Sequence, residues 1–490
     1  MNIHNHRYPG AQPFSDNEFS QRIFFGRKED SEQLTNKIIS NRTIIVYGRS
    51  GLGKTSLLNA GVAPLLRENG YLPLFVRVNN TEQELFHSIL EAIPSEASRQ
   101  KVEYIPGHTN SLWEFFKTAE FWRNDLLLTP VLILDQFEEL FTLQSENIRE
   151  DFLDELSYLI RGVRPALSDA DVIQDGLSDR PPEIQIVFSL REDYLGFLEE
   201  ISDKIPQIFD LRFRLSAFSP ETAKEAILGP AAIEDSLLNT KPFILSQDAI
   251  NGILKFLSQQ RTSIVVNSRR YIEPFQLQLV CHRLELIAAT KQSQTLQNIT
   301  ITLHDIGGEV GLTSTLKDFY NDAIQSLKDR SSQKSSRRLC EEYLISAEGR
   351  RLSIEENEIQ QQLGLRHESL KQLVSSRLLR TENRSESTYY ELSHDALIEP
   401  ILASQQKKAQ LTGWFGIVSG AILLICSTTF FLLLVLYFVT QALEQVETTN
   451  YEILGLVIFT FGVIMFIIIT SYILQNSIKS LLRRQHAHEG

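Results

Sequence analysis

The chain has 490 residues, 42% hydrophobic and 22% charged, an ordinary folded composition with room for two or three domains that each bury a core. Its 61 acidic against 48 basic residues leave a net charge of -13, which argues against a protein that coats nucleic acid or holds an anionic membrane by basic charge alone. Cys281, Cys340 and Cys426 have no metal-ligand spacing, so a disulfide framework is disfavoured and a reducing cytosol is the expected compartment for the folded domains.

Residues 1–34 are polar and mixed, without the apolar stretch of a secretory signal peptide, and read as an irregular arm. An α/β P-loop domain is expected over 35–218, with parallel strands near 43–47, 73–77, 130–135, 184–190 and 208–215. The buried-strand pattern TIIVY at 43–47 runs into GRSGLGKTS, a complete G-x-x-x-x-G-K-[ST], and then into the helical SLLNAGVAPLL. Glycines in this setting let backbone N–H groups curl around phosphate at a helix N-terminus. Gly48, Ser50, Gly51, Gly53, Lys54, Thr55 and Ser56 are therefore the candidate nucleotide-binding residues. Lys54 would reach the outer phosphates and Thr55 a magnesium ion.

TEQELFHSILEAI and SLWEFFKTAEFWRNDLL both show helical periodicity. Next, PVLILDQFEELF at 130–141 is an apolar strand ending at Asp135, an acid able to hold magnesium directly or through water. Glu138 and Glu139 follow within reach of a water beside the terminal phosphate if the chain turns helical there. Glu138 is the favoured water-polarising group and Glu139 the alternate. Residues 165–183 are acidic and rich in turn formers, a surface excursion. The strand IQIVFSL ends at Arg191, where an arginine can touch the terminal phosphate and report its loss; a surface ion pair is the other reading.

A helical subdomain is expected over 219–328, opened by Ser219-Pro220-Glu221 and carrying the amphipathic EPFQLQLVCHRLELIAA. The polar DRSSQKSSRR from Asp329 reads as a flexible linker. Helix, turn, helix and β-hairpin then spell a winged-helix domain over 335–402, and no repeat of 20–50 residues occurs. Residues 414–439 and 453–474 are uncharged apolar runs, each long enough to cross a bilayer. Lys407 and Lys408 precede them, Lys479, Arg483 and Arg484 follow, and only Glu444, Glu447 and Glu452 are charged between. They are expected to form two transmembrane helices, a hairpin over 413–475 before a basic tail at 476–490, with both termini cytoplasmic. Membrane lipids and the cell inner (plasma) membrane are the implied partner and location.

Four segments together resemble the STAND class of signal-transducing P-loop NTPases, in its AAA+-related branch. They are YPGAQPFSDNEFSQRIFFGRKED from Tyr8, the GRSGLGKTS loop with its helix, VLILDQFEELF, and YYELSHDALIEPI from Tyr389. The resemblance implies that Phe25, Gly26 and Arg27 cover the adenine and that Arg191 is the sensor. It implies that His394 closes on a bound diphosphate in the resting state. Asp395 replaces the usual glutamate after that histidine, and Glu273-Pro274-Phe275 follows the helical subdomain's proline motif only loosely.

The function expected from these parts is a membrane-tethered, ATP/ADP- and Mg2+-dependent switch and slow ATPase that becomes a homo-oligomer on activation. The resemblance adds antiphage defence, with the hairpin perturbing the membrane, and an unknown trigger ligand or protein. One alternative is a membrane-anchored ATPase scaffold for a signalling partner. Another is a winged-helix DNA-binding regulator, but charges of both signs surround Arg366, Lys371, Arg377 and Arg380, so nucleic acid is disfavoured as a partner.

Overall fold

Apolar runs buried on both faces make the central sheet of the computed structural model. Strands β1 (Thr43–Gly48), β2 (Tyr71–Arg77), β3 (Thr129–Asp135), β4 (Gln185–Arg191) and β5 (Arg212–Arg214) pair in parallel in the order β2-β3-β4-β1-β5. Alternate side chains feed two cores. Ile45, Leu72, Leu74, Leu132, Leu134 and Phe188 pack on one face, and Ile44, Val46, Val131, Ile133 and Val187 on the other. The structure describes residues 6–78, 85–165, 177–259, 264–266, 269–294, 299–346, 349–384 and 387–405, with scattered residues between 426 and 464.

Between β2 and β3 the chain departs from the continuous helical reading of SLWEFFKTAEFWRNDLL. Ser111 caps a short helix, Leu112–Thr118, by accepting from the Glu114 amide. The rest folds as Glu120–Arg123 and Leu126–Leu127, two strands of a small antiparallel sheet. Asn124 and Asp125 connect them at φ 48° and 62°, the left-handed pair that a two-residue hairpin needs.

The helical subdomain packs helices Pro220–Ala232, Gln247–Gln259, Pro274–Gln294 and Gly308–Gln325 around one apolar core, with a parallel strand pair, Phe243–Leu245 and Ile299–Ile301, beside them. Tyr8 of the arm is buried in that core. The polar segment expected to be a linker is instead helix Arg330–Arg338, started by Asp329, whose carboxylate accepts from the Ser332 amide at 2.7 Å. After it come β6 (Ile354–Glu355), helices Glu356–Leu363 and His367–Ser375, β7 (Leu379–Arg384) and β8 (Ser387–Leu392). Antiparallel β6-β8-β7 is the sheet of a winged helix, and its register sets Arg380 opposite Glu391.

The transmembrane expectation is corrected. A span needs about 20 consecutive apolar helical residues, and no helix among the described residues is long and apolar enough to cross a membrane. Helix Pro274–Gln294 reaches 21 residues but carries Arg283, Glu285 and Lys291. The runs 414–439 and 453–474 lie almost wholly outside the described residues. The two-span topology, the lipid partnership, the inner-membrane location and the hairpin-bearing function fall with that correction. Residues 1–401 form one compact unit and residues 402–490 another, and everything that follows concerns the first.

Candidate nucleotide-binding site

Parallel register lines up the polar residues at the carboxyl edge of the sheet, where ligands of such sheets bind. Gly48 sits beside Arg191, and Asp135 lies between Arg77 and Ser189. The loop after β1 turns through Gly51 and Gly53 at φ +85° and +88°, backbone that L side chains rarely adopt. Gly48 has its own constraint, since a Cβ there would fall 2.8 Å from the Leu215 carbonyl oxygen. Lys54 then folds back, its Nζ donating to the Gly48 carbonyl at 2.9 Å. Burial pushes the Lys54 pKa down, against the opposing pull of Glu138 and Asp135.

Asp135 is only 5% exposed, and both its oxygens are engaged. Thr55 Oγ1 donates to Oδ2 at 2.8 Å and Ser189 Oγ to Oδ1 at 2.7 Å. Gln136 follows at φ +58°, a costly angle for a non-glycine, worth about 1–3 kcal/mol. That turn brings Glu138 and Glu139 back to the cavity wall. Each has a buried Oε2 without a hydrogen-bond partner among the described residues. Burial raises both pKa values, that of Glu139 to about 7. The two differ in what they face. Lys54 is the strongest opposing charge on Glu138, and Arg77 on Glu139.

Arg191 forms a two-pronged ion pair with Asp193, and its Nη1 lies 3.7 Å from Glu391 on β8. Burial works against its charge, but these acids outweigh burial and raise its pKa. Arg27 is 5% exposed; it pairs with Asp30, donates to the Leu52 carbonyl and lies 4.2 Å over the Phe218 ring. Gly26 (φ +80°) allows this, because a Cβ there would fall 2.5 Å from the Thr222 carbonyl oxygen. Phe25 packs on Gly229 of helix Pro220–Ala232. These contacts seat the arm against both the P-loop and the helical subdomain.

From the winged helix, His394 lies against Gly51, where an added Cβ would meet its Nδ1 at 2.6 Å. Its ring stacks on Phe275 at 3.6 Å, and no hydrogen bond to the ring is found among the described residues. Burial, and then the nearby Arg351 and Arg377 charges, push its pKa down to about 3. Arg380 donates to Ser50 Oγ of the P-loop at 3.2 Å and also pairs with Glu391. Asp395 accepts from Arg351 Nε at 2.5 Å and lies 3.9 Å from Arg49, which reaches Glu273 at 3.7 Å.

Together these parts enclose a cavity of about 460 Å³. Its wall includes Phe25 and Arg27 of the arm, Ser50 to Ser56 of the loop, Asp135, Glu138, Glu139, Arg191, Phe275, Arg377, Arg380 and His394; Gly26 and Gly48 do not line it. Lys54, Arg27, Arg77, Arg191, Arg377 and Arg380 outnumber the three wall acids, which favours an anionic ligand. Arg377 and Arg380, basic residues of the segment weighed for DNA, are turned into this cavity.

A family model described as Novel STAND NTPase 1 matches residues 8–400. The chain belongs to that family. It is therefore a P-loop nucleoside-triphosphate hydrolase, and a nucleotide is its ligand. Among solved structures, this nSTAND1 chain is similar to the ORC2 protein of Aeropyrum pernix, with 14% identity, 78% of this chain and 95% of that one covered, and a TM-score of 0.38. It is also similar to a Walker-type ATPase of Pyrococcus abyssi, with 13% identity, 80% and 98% covered, and a TM-score of 0.38. Cdc6p of Pyrobaculum aerophilum has 14% identity, with 77% and 94% covered and a TM-score of 0.35. No curated protein is similar to it.

The nSTAND1 site also contains residues that sequence reasoning missed. Ser189 reads as one more strand residue, and Arg77 as a strand end. Arg380 and Glu391 meet only through the winged-helix register. The charged ends of apolar strands were the available signal for Arg77.

Proposed function

We propose that this nSTAND1 protein is an ATP-hydrolysing signalling switch whose winged helix is latched over the P-loop and released when the bound nucleotide changes. The observation that carries this reading is the shared carboxylate of Glu391. It pairs with Arg380, which itself bonds the P-loop Ser50, and it lies 3.7 Å from the Arg191 guanidinium. A terminal phosphate beside the same arginines would compete with Glu391 for them, because both are anions seeking one set of donors. ATP and ADP would then bind the latched and released forms unequally, which any nucleotide switch requires.

In hydrolysis, Lys54 would orient the outer phosphates. Glu138 would take a proton from the attacking water as the terminal phosphoryl group leaves ADP. Support for Glu138 over Glu139 comes from the nearby Lys54 charge, while Glu139 faces Arg77. Magnesium fits beside Thr55 and Asp135, whose hard oxygens suit it, and when bound would neutralise charge on the outer phosphates. His394, buried and held neutral, can donate one ring N–H to a diphosphate in the latched form. Phe25 and Arg27 are assigned to the base. Hydrolysis is expected to be slow, resetting the latch.

Hydrogen exchange tests the reading. Amides of β7 and β8 should exchange faster with a non-hydrolysable ATP analogue than with ADP. Equal protection in the two nucleotides would overturn the latch.

A further inference from the structure

Outside the lining of the nucleotide cavity, a second group of side chains converges where the arm crosses helix Pro274–Gln294. His282 and Glu285, three residues apart, share one face of that helix. His6 lies over them, its ring 4.8 Å from the His282 ring and its Nδ1 3.4 Å from Glu285 Oε2. None of the three lines the nucleotide cavity.

We propose that His6, His282 and Glu285 form a divalent transition-metal site, of the zinc class, that clamps the arm to the helical subdomain. One ligand atom from each residue lies within 4.8 Å of the other two. Tetrahedral zinc at about 2.0–2.1 Å from each ligand needs separations of about 3.4 Å, so no pair of ligand atoms has more than about 1.4 Å to close.

The surroundings already orient these ligands. His282 Nδ1 lies 3.0 Å from the Tyr8 carbonyl oxygen. A carbonyl only accepts, so Nδ1 carries the proton and Nε2 keeps its lone pair for a metal. This is the outer hydrogen bond that typically fixes a metal-binding imidazole. Glu285, 1% exposed, accepts from the amides of Arg7 at 2.9 Å and Tyr8 at 3.3 Å, which position its two oxygens and leave further lone pairs. Arg7, next to His6 in the chain, directs its guanidinium to Thr240 and to the Pro230, Ile233 and Thr240 carbonyls. The exposed side of His6 leaves the fourth position to water. Asn239 Nδ2 lies 3.3 and 3.4 Å from the His6 ring nitrogens and would have to yield one of them.

The clamp has a consequence for the arm. Gly10, at φ +65°, turns the chain past the His282 ring, and the residues after it form part of the nucleotide cavity wall. Metal at His6 would therefore hold the start of a segment that ends on the nucleotide.

Titration of the full chain, stripped with chelator and freed of nucleotide, with Co2+ followed by Zn2+ competition is the test. One saturable equivalent with a tetrahedral Co2+ spectrum is expected. Affinity should fall about tenfold or more in His6→Ala and in His282→Ala. It should be unchanged in His108→Ala and in Lys54→Ala, which separates this site from any phosphate-bound metal. His282 also bonds the arm, so His6→Ala decides the matter, with unaltered thermal unfolding in chelator as the check that it folds. No saturable binding, or binding unchanged in His6→Ala, would overturn the proposal and leave a His6–Glu285 ion pair.

Discussion

In the proposed mechanism, Glu138 is the residue on which hydrolysis turns. Its carboxyl is desolvated, one oxygen has no hydrogen-bond partner among the described residues, and Lys54 is its main opposing charge. A base of this kind contributes about 10²–10⁴-fold to rate. Glu138→Gln should cut ATP turnover by about that factor while nucleotide affinity stays within a few fold. Glu139→Gln should cost far less. Steady-state phosphate release and equilibrium binding check both, and the reverse order would reassign the base to Glu139. Glu138 and Glu139 could be named from sequence because both follow a strand-end acid. The sequence already favoured Glu138; what it could not supply is the left-handed turn at Gln136, after which Lys54 is the main opposing charge on Glu138 and Arg77 on Glu139.

At the level of elements, the winged helix is docked by part-buried polar contacts and by the buried His394 ring, and docking should respond to pH. His394 is held neutral, with its pKa lowered to about 3 by burial and then by Arg351 and Arg377. A depressed histidine favours the docked form fully above the ordinary value near 6.5 and loses that contribution as pH falls toward 3. Each pH unit below 6.5 should therefore weaken docking by about 1.4 kcal/mol. Glu273, buried nearby with a pKa raised to about 7, acts in the opposite direction, so the difference between wild type and His394→Asn isolates the histidine. Protease sensitivity of the 326–330 junction should rise between pH 7.5 and 5.5 in wild type and be flatter in the variant; parallel profiles would remove His394 from the latch. Strands β1 to β4 were legible because each is a short apolar run beside a glycine- or acid-bearing loop, whereas β5 is only Arg212–Arg214, with one apolar residue. The hairpin at Asn124 and the helix at Arg330 were not. The first depends on two left-handed residues inside a helical periodicity. The second is a helix of nine residues, mostly serine and basic, that owes its start to the Asp329 cap.

Across the whole molecule, the arm, sheet, helical subdomain and winged helix all contribute to one cavity wall, so no single element makes the site. The P-loop and its strand-end acid could be paired from sequence, since both are local motifs. The convergence of Arg191, Arg380 and Glu391 could not, because it joins residues some 190–200 positions apart through two separate sheet registers. In the proposed switch, nucleotide sets the distance between winged helix and P-loop domain. Spin labels at exposed Glu68 and Gln361, each changed to cysteine with Cys426 replaced and Cys281 and Cys340 left buried, measure it directly. A longer distance with a non-hydrolysable ATP analogue than with ADP, and no such change in Lys54→Ala, is the predicted result. One unchanging distance in both nucleotides would contradict it.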